Sequence, residues 1–174
     1  MLDFLLIATR KPKKRDEPVE IYPKFIVGKK SSDLMIRGGD FYAIWIEELG
    51  IWSTDEAEAL RLIDQELDKF KEEHSDEYDD TRVMHMWDSD SGMIDKWHRY
   101  CQKQSRDSYH MLDENLIFAN HETKKADYAS KRLSYSLEPG DISAYDKLIS
   151  TLYLPEERHK IEWAIGAIVT GDSR

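Results

Sequence analysis

The pattern of hydrophobic and polar residues changes its period several times along the chain. Residues 19–27 are rich in β-branched and aromatic side chains, which predicts a strand, and Pro23 restricts that strand to a sheet edge or a bulge. Farther along, two apolar runs flank Gly50, which can adopt the positive φ that a tight turn requires. These runs predict a β-hairpin over about residues 41–53.

A helical period replaces the strand pattern after the hairpin. Apolar residues recur at helical spacing over 55–73, behind a capping-box pattern formed by Ser53 and Glu56. This helix is expected to pack on the hairpin. A second apolar stripe predicts a helix over 91–104, with Ser91 as its cap. The predicted core residues of the two helices are Leu60, Ile63, Leu67, Phe70, Met93, Ile94, Trp97, Tyr100 and Cys101.

The last third of the chain also contains strand and helix signals. Residues 116–120 predict a short strand entering an Asn turn, and residues 129–137 predict its return strand. Asp141 is placed to cap an amphipathic helix, and Pro155 occupies the first-turn position of the next helix. The order of elements predicts an α+β fold whose helices gather toward the carboxyl terminus.

A polar run at 72–80 is the predicted boundary between two lobes. The first lobe, residues 1–80, is expected to combine a basic arm with the β-hairpin. The second lobe, residues 81–174, is expected to contain the later helices and to connect to a further domain.

Charge is distributed unevenly along the 174 residues. The net charge is -10, but residues 46–95 alone contain 17 Asp and Glu against 4 Lys and Arg, and the segments on either side, 1–45 and 96–137, are net basic. The total charge therefore does not exclude a nucleic-acid partner. The single Cys excludes an internal disulfide and a Cys-rich zinc site. No apolar run approaches the ~20 residues that a membrane helix requires, so we expect no membrane partner and a cytoplasmic location.

Sequence motifs for nucleotide binding and covalent catalysis do not occur. The chain has neither a GxxxxGK[ST] loop nor a GxGxxG turn, and Cys101 lies in an apolar stripe, where a structural thiol is expected. No catalytic residue is predicted. A metal-dependent nuclease is an alternative, although the simpler interpretation of its residues is a solvated acidic face. Its potential ligands over 74–98 are His74, Asp76, Glu77, Asp79, Asp80, His85, Asp88, Asp90, Asp95 and His98, in a spacing that fits no specific metal template.

Two basic segments predict a DNA-binding surface. The first starts in a Pro-interrupted cluster and continues through the first strands beside Tyr22 and Phe25, and its alternative is a solubilising basic loop. The second lies on the exposed side of the helix predicted over 91–104. The predicted DNA-binding residues are Arg10, Lys11, Lys13, Lys14, Arg15, Lys24, Lys29, Lys30, Arg37, Lys96, Arg99 and Lys103.

Four short motifs follow one another in the last third of the chain. They are DENLIFAN (113–120), LSYSLEPG (133–140), YLPEE (153–157) and IGAIVTGD (165–172). In this order and spacing they resemble the region just upstream of the ATPase in the superfamily 3 primase-helicases of phages, plasmids and large DNA viruses. Gly50-Ile51-Trp52, followed by an acidic helix, is similar to the amino-terminal part of that region, whereas His121 stands where the family usually has Gly.

The resemblance implies a non-catalytic module of a replicative DNA helicase. In that family a phosphate-binding loop follows, so the ATPase motor, with its ATP and Mg, is expected beyond Arg174 and no cofactor is expected in this chain. The implied partners are single-stranded or forked DNA, the chain's own ATPase domain and further copies in a homo-oligomer. The last helix would contact the motor or a neighbouring copy through Ile161, Trp163, Ile165 and Ile168. A protein-interaction adaptor of a replication complex is the second alternative.

Overall fold

Two compact units form the chain. The computed structural model describes residues 2–11, 17–28, 30–77, 80–89 and 91–170. Unit 1 comprises Met1–Asn115 and Glu122–Lys131, and unit 2 comprises Leu116–His121 and Arg132–Arg174. The division thus falls after Asn115 and not at the polar run 72–80, because residues on both sides of that run share one core. None of the helices in the described residues combines the length and apolar character that a bilayer crossing requires.

Unit 1 combines two β-sheets with two helices. Its described residues form strands β1 (Leu5–Arg10), β2 (Val19–Phe25), β3 (Leu34–Arg37), β4 (Asp40–Ile46), β5 (Ile51–Ser53), β6 (Thr81–Val83) and β7 (Asp107–Ser108), with helices α1 (Glu56–Glu73) and α2 (Met93–Lys103). The strand orders are β1-β2-β6 and β5-β4-β3-β7. The pairing of β2 with β6 is parallel, and the other pairings are antiparallel. This arrangement confirms the predicted α+β fold.

Strand β2 is the central strand of the first sheet. It pairs with β1 from Glu20 to Phe25, but its pairing with β6 runs only from Val19 to Ile21. Pro23 lies beyond that parallel pairing, so its missing N–H group removes no ladder hydrogen bond to β6. At Pro23, β2 therefore pairs with β1 only, so this residue lies at a local edge of the sheet although β2 is the central strand.

The second sheet is apolar on both faces. The predicted hairpin is confirmed by β4 and β5, where Trp45 lies opposite Trp52 and Gly50 adopts a φ of 61° in the turn. Because successive side chains of a strand point to opposite faces, each strand contributes to two clusters. One face adds Leu34, Ile36, Ile44 and Ile46 to the main core, and the other forms a second cluster from Met35, Ala43, Trp45 and Trp52.

Helices α1 and α2 pack against the main core with the apolar faces that the sequence predicts. The predicted capping box of α1 is wrong. Asp55 is the N-cap, and its carboxylate accepts a hydrogen bond from the Ala57 amide at 3.0 Å. Glu56 is the first helical residue, which is too early for the N3 position of a capping box. At α2, the predicted cap is also wrong, because Gly92 is the N-cap and provides no side chain. Ser91 lies one residue earlier, and its hydroxyl accepts a hydrogen bond from the Met93 amide at 3.2 Å.

Unit 2 contains helices α3 (Ser143–Leu152) and α4 (Pro155–Thr170) and two extended segments. Asp141 accepts a hydrogen bond from the Ser143 amide at 2.9 Å, and this bond lowers the pKa of the Asp141 carboxyl. Pro155 begins α4, as predicted. Ile149 is the only residue of unit 2 that is buried within the described part of the chain. Unit 2 therefore leaves most of its apolar side chains at its surface.

The two extended segments of unit 2 pair without forming regular strands. Leu133 N donates to Ile117 O at 2.8 Å, and Ala119 N donates to Tyr135 O at 3.1 Å. The Asn120 side chain also exchanges two hydrogen bonds with the Leu137 backbone. The partners advance together along the two segments, from 117 with 133 to 119 with 135, so the segments run in the same direction, whereas the predicted return strand would run antiparallel. The predicted Asn turn is present, since the His121 amide donates to the Phe118 carbonyl at 3.0 Å. The predicted strands at 116–120 and 129–137 are wrong, because these few bonds do not make a regular ladder.

Candidate nucleic-acid interface

Four predicted DNA-binding residues lie together on unit 1. Lys24 belongs to β2, and Lys96, Arg99 and Lys103 belong to α2. With Tyr22, Phe25, Val27 and Tyr100 they line a groove of about 410 Å³, the β2–α2 groove. The fold therefore unites basic residues from two segments that are far apart in the sequence.

The helical period explains the basic side of the groove. Lys96, Arg99 and Lys103 are separated by three and four residues, so they follow one face of α2. Trp97 and Cys101 lie on the buried face of the same helix. Helix α2 thus packs into the core and presents three cations to the groove at the same time.

Strand β2 forms the other side of the groove, across from α2. Tyr22 and Lys24 alternate along β2 with the buried residues Ile21 and Pro23. Their side chains therefore share one face of β2 and line the groove, while Pro23 and Phe25 line it from the other face of the strand.

Aromatic rings form part of the groove wall. The rings of Phe25 and Tyr100 stack with centroids 5.1 Å apart, and the Phe25 ring lies 5.5 Å from that of Trp97. Burial raises the pKa of Tyr100 to about 12. The Lys96 ammonium lies 6.0 Å from the centroid of the Tyr22 ring. A planar apolar surface and a positive charge are therefore adjacent.

The β2–α2 groove is cationic. Within the described residues, none of its four basic side chains forms an ion pair, and none of the residues that line it is acidic. Uncompensated charges that lie close together create a local positive potential even when the whole chain is acidic. An anion can therefore bind here although the net charge is -10.

Other residues of the predicted DNA-binding set lie beside the groove or outside the described residues. Arg10 pairs with Glu20, which raises the pKa of the guanidinium, and lies 5.9 Å from the Tyr22 ring centroid at the side of the groove. Lys11 is exposed. Lys13, Lys14, Arg15 and Lys29 lie outside the described residues.

Lys30 and Arg37 do not line the β2–α2 groove. The Arg37 guanidinium lies 5.7 Å from the Tyr42 ring centroid and 5.2 Å from that of Tyr109, on the second sheet. Lys30 lines two neighbouring cavities. Among the described residues of the predicted DNA-binding set, four line the β2–α2 groove, Arg10 lies beside it, and Arg37 and Lys30 lie elsewhere on unit 1.

Sequence reasoning missed two further cavities of unit 1, of which the larger adjoins the groove. A cavity of about 530 Å³ shares Tyr100 and Lys103 with the groove. A smaller cavity of about 250 Å³ shares Lys30 and His110 with that cavity and is lined by the aromatic residues Trp52, Tyr109, His110 and Tyr128. Tyr109, His110 and Tyr128 lie outside the helices and strands, where no periodic pattern marks a shared face.

The acidic, His-rich zone forms local contacts. His85 Nε2 lies 2.8 Å from Asp68 Oδ1, and His98 Nε2 lies 3.4 Å from Glu56 Oε1. Among the residues that the structure describes, no group of three or more His, Cys, Asp or Glu could hold a metal ion. Asp79 and Asp90, two of the potential ligands of the nuclease alternative, lie outside those residues.

Cys101 is a structural thiol, as predicted. It is buried in the main core, and burial raises the pKa of the thiol to about 12. A thiol with so high a pKa forms little thiolate at neutral pH, so it is a poor nucleophile.

The predicted interface residues lie on α4. Trp163, Ile165 and Ile168 are exposed, with 64%, 45% and 81% of their surface accessible, and Ile161 is half-buried. Val169 is exposed beside them. The second half of α4 is therefore an apolar surface within unit 2.

Comparisons of the chain with models of protein families, with curated proteins and with solved structures gave no match.

Proposed function

We propose that unit 1 binds single-stranded DNA, without sequence preference, in the β2–α2 groove. The observation that supports this proposal is the group of Lys24, Lys96, Arg99 and Lys103 beside aromatic rings, with no acidic residue among the described lining residues. Lys and Arg bind phosphates in any sequence, and aromatic rings stack with any base. A single strand exposes phosphates and base faces together, whereas a duplex stacks its bases inside. The groove chemistry therefore favours a single strand.

In this proposal the chain serves a replicative helicase of the phage or viral type. The order of the four motifs between residues 113 and 172 supports this part of it. Unit 1 would hold the strand and perform no chemistry, while the chain's own ATPase domain would bind ATP and Mg and supply the mechanical work. The exposed apolar residues of α4 support assembly into a homo-oligomer. The protein would act in the host cytoplasm.

Removing the groove charges should weaken DNA binding. The test variant combines Lys24→Ala, Lys96→Ala, Arg99→Ala and Lys103→Ala. Each phosphate contact to a single strand contributes about -0.7 to the slope of log K against log salt, so loss of four contacts should flatten that slope by about 3. Fluorescence anisotropy of labelled oligo-dT at several salt concentrations measures both the affinity and the slope.

A control with the same change in net charge replaces exposed lysines elsewhere: Lys71→Ala, Lys131→Ala, Lys147→Ala and Lys160→Ala. This control should keep the wild-type slope. Equal losses in the two variants would contradict the assignment of the groove. Absence of wild-type binding at low salt would reject the function and favour the adaptor alternative, and cleavage of the oligonucleotide on addition of Mn²⁺ or Mg²⁺ would favour the nuclease.

A further inference from the structure

The β2–α2 groove and the two further cavities described above share lining residues, each with the next. Tyr100 and Lys103 line both the β2–α2 groove and the cavity of about 530 Å³. Lys30 and His110 line both that cavity and the smaller cavity of about 250 Å³. A linear ligand that leaves the groove beside Lys103 therefore lies next to the intermediate cavity, which borders the smaller cavity, the aromatic pocket.

The aromatic pocket contains a stack of rings. The His110 and Tyr128 rings are 4.1 Å apart between centroids at an interplanar angle of 28°, and the Tyr128 and Trp52 rings are 6.2 Å apart at 23°. His110 is exposed although Tyr128 lies close to its ring. A flat ligand can thus extend the stack on His110. Nucleobases bind aromatic side chains in this way, whatever their sequence.

The stack is held in place before any ligand binds. Tyr128 adopts a φ of 46°, a left-handed conformation that is uncommon for a non-glycine residue. Its carbonyl accepts a hydrogen bond from the Asp113 amide at 2.9 Å, and the Asp113 carboxylate in turn accepts one from the Ser130 amide at 2.7 Å. Trp52 Nε1 donates to the Lys125 carbonyl at 2.9 Å. Such strain persists only where the surroundings fix the backbone, so the pocket is preorganised.

The charges along the series also suit a polyanion. Lys103 and Lys30 line the intermediate cavity and form no ion pair within the described residues. Asp107, an acidic residue of that cavity, accepts a hydrogen bond from the Gly38 amide at 3.2 Å. Its carboxylate keeps its charge, but the described lining residues include two lysines against this one acidic residue.

We infer that a single strand bound in the β2–α2 groove continues past Lys103 and Lys30 and places one of its bases on His110 in the aromatic pocket. This inference rests on the proposed function. The phosphates between the groove and the pocket lie near the two lysines, and the stacked base adds binding energy without reading sequence. The aromatic pocket thus determines the length of strand that the protein covers.

The test compares oligo-dT of increasing length on the wild type and on a variant that combines Lys30→Ala with His110→Ala, both at exposed positions. Oligonucleotides that fill only the groove should bind both proteins equally. Longer oligonucleotides should bind the variant at least about five- to 150-fold more weakly, since the loss of one stacked base gives that factor and the loss of Lys30 adds to it. In the wild type, oligonucleotides that contain 5-iodo-deoxyuridine should photocross-link to the peptide that contains His110.

The matched control combines His159→Ala with Lys160→Ala, an exposed His and Lys pair on α4. It should show the wild-type dependence of affinity on length. Equal affinities of the wild type and the Lys30/His110 variant at every length would overturn the inference and leave the groove intact. An equal loss at every length would also overturn it. Absence of wild-type binding at any length would reject both the inference and the proposed function.

Discussion

At the scale of single residues, Asp64 shows how burial couples the fold to pH. This carboxylate on α1 accepts a hydrogen bond from the Met86 amide at 2.7 Å. Burial nevertheless raises the pKa of Asp64 above its usual range. A raised pKa means that the folded chain binds the proton more tightly than the unfolded chain, so the ionised carboxylate destabilises the fold. The contribution of Asp64 to stability therefore improves as pH falls through its folded-state pKa.

The variant Asp64→Asn should be more stable than the wild type at pH 7. An amide oxygen can still accept the Met86 hydrogen bond, while the cost of burying a charge disappears. The difference in melting temperature should shrink as pH falls through the pKa of Asp64, because the wild-type carboxyl is then also neutral. Thermal unfolding followed by circular dichroism from pH 7 to acid measures it. Glu48→Gln, at an exposed turn position, should show no such trend, and a wild type that is more stable at pH 7 would contradict the prediction.

Individual residues of the site differ in how far the sequence predicts them. Lys96, Arg99 and Lys103 follow from the helical period alone, because the buried face of α2 leaves them exposed. His110 and Tyr128 do not follow, because their stack depends on loop backbones and on a left-handed φ that no local pattern encodes. Long-range packing determines which loop residues meet.

At the scale of elements, the amino terminus of α1 shows that the sequence pattern does not decide which residue caps a helix. Ser53 and Asp55 are both good capping residues, and the start of the helix decides between them. The helix starts at Glu56, so the Asp55 carboxylate satisfies the Ala57 amide, while the Ser53 hydroxyl accepts a hydrogen bond from the Asp55 amide at 3.2 Å. Asp55 therefore stabilises the helix directly, and Ser53 supports the cap.

Replacing the cap should destabilise unit 1 more than replacing the residue that supports it. Asp55→Ala leaves the Ala57 amide without its partner and also removes a negative charge from the positive end of the helix dipole, which should cost about 0.5–2 kcal/mol of unfolding free energy. Ser53→Ala should cost less. Urea unfolding followed by far-ultraviolet circular dichroism compares the two variants. A larger loss for Ser53→Ala would restore the capping box that the sequence suggests.

Helices and strands with one buried face can be predicted from the sequence, but the elements with which they pair or pack are harder to predict. The hairpin β4–β5 and helices α1 and α2 have clear apolar periods, and each is present where expected. Strands β6 and β7 are too short to show a period, and each pairs with a strand that is distant in the sequence. The β2–α2 groove has the same origin, since each side is visible in the sequence but their juxtaposition depends on the fold.

At the scale of the whole molecule, unit 2 has little core of its own. Leu137, Leu148, Leu152 and Leu154 are exposed in addition to the apolar residues of α4. Proteins that remain monomeric seldom expose such large apolar patches. This surface supports the proposed contact between copies of the chain through α4.

Adding charge to α4 should therefore reduce self-association. The variant combines Trp163→Glu with Ile168→Glu, because both side chains are exposed and their loss removes little intramolecular packing. The wild type should show a sedimentation coefficient that rises with protein concentration, and the variant should remain at its monomer value. Ser150→Glu with Thr151→Glu adds the same charge at exposed positions of α3 and should behave as the wild type. A wild type that stays monomeric at all concentrations would contradict the prediction.

The parallel pairing of β2 with β6 has a consequence for biosynthesis. During translation, β1 and β2 can form an antiparallel pair soon after they leave the ribosome, whereas β6 and α2 follow only after β3, β4, β5 and α1. Until then one edge of β2 has no partner strand, and such edges are sites for chaperone binding or aggregation. Non-local pairing is also slow. The β2–α2 groove is therefore complete only after α2 has docked, late in the synthesis of the chain.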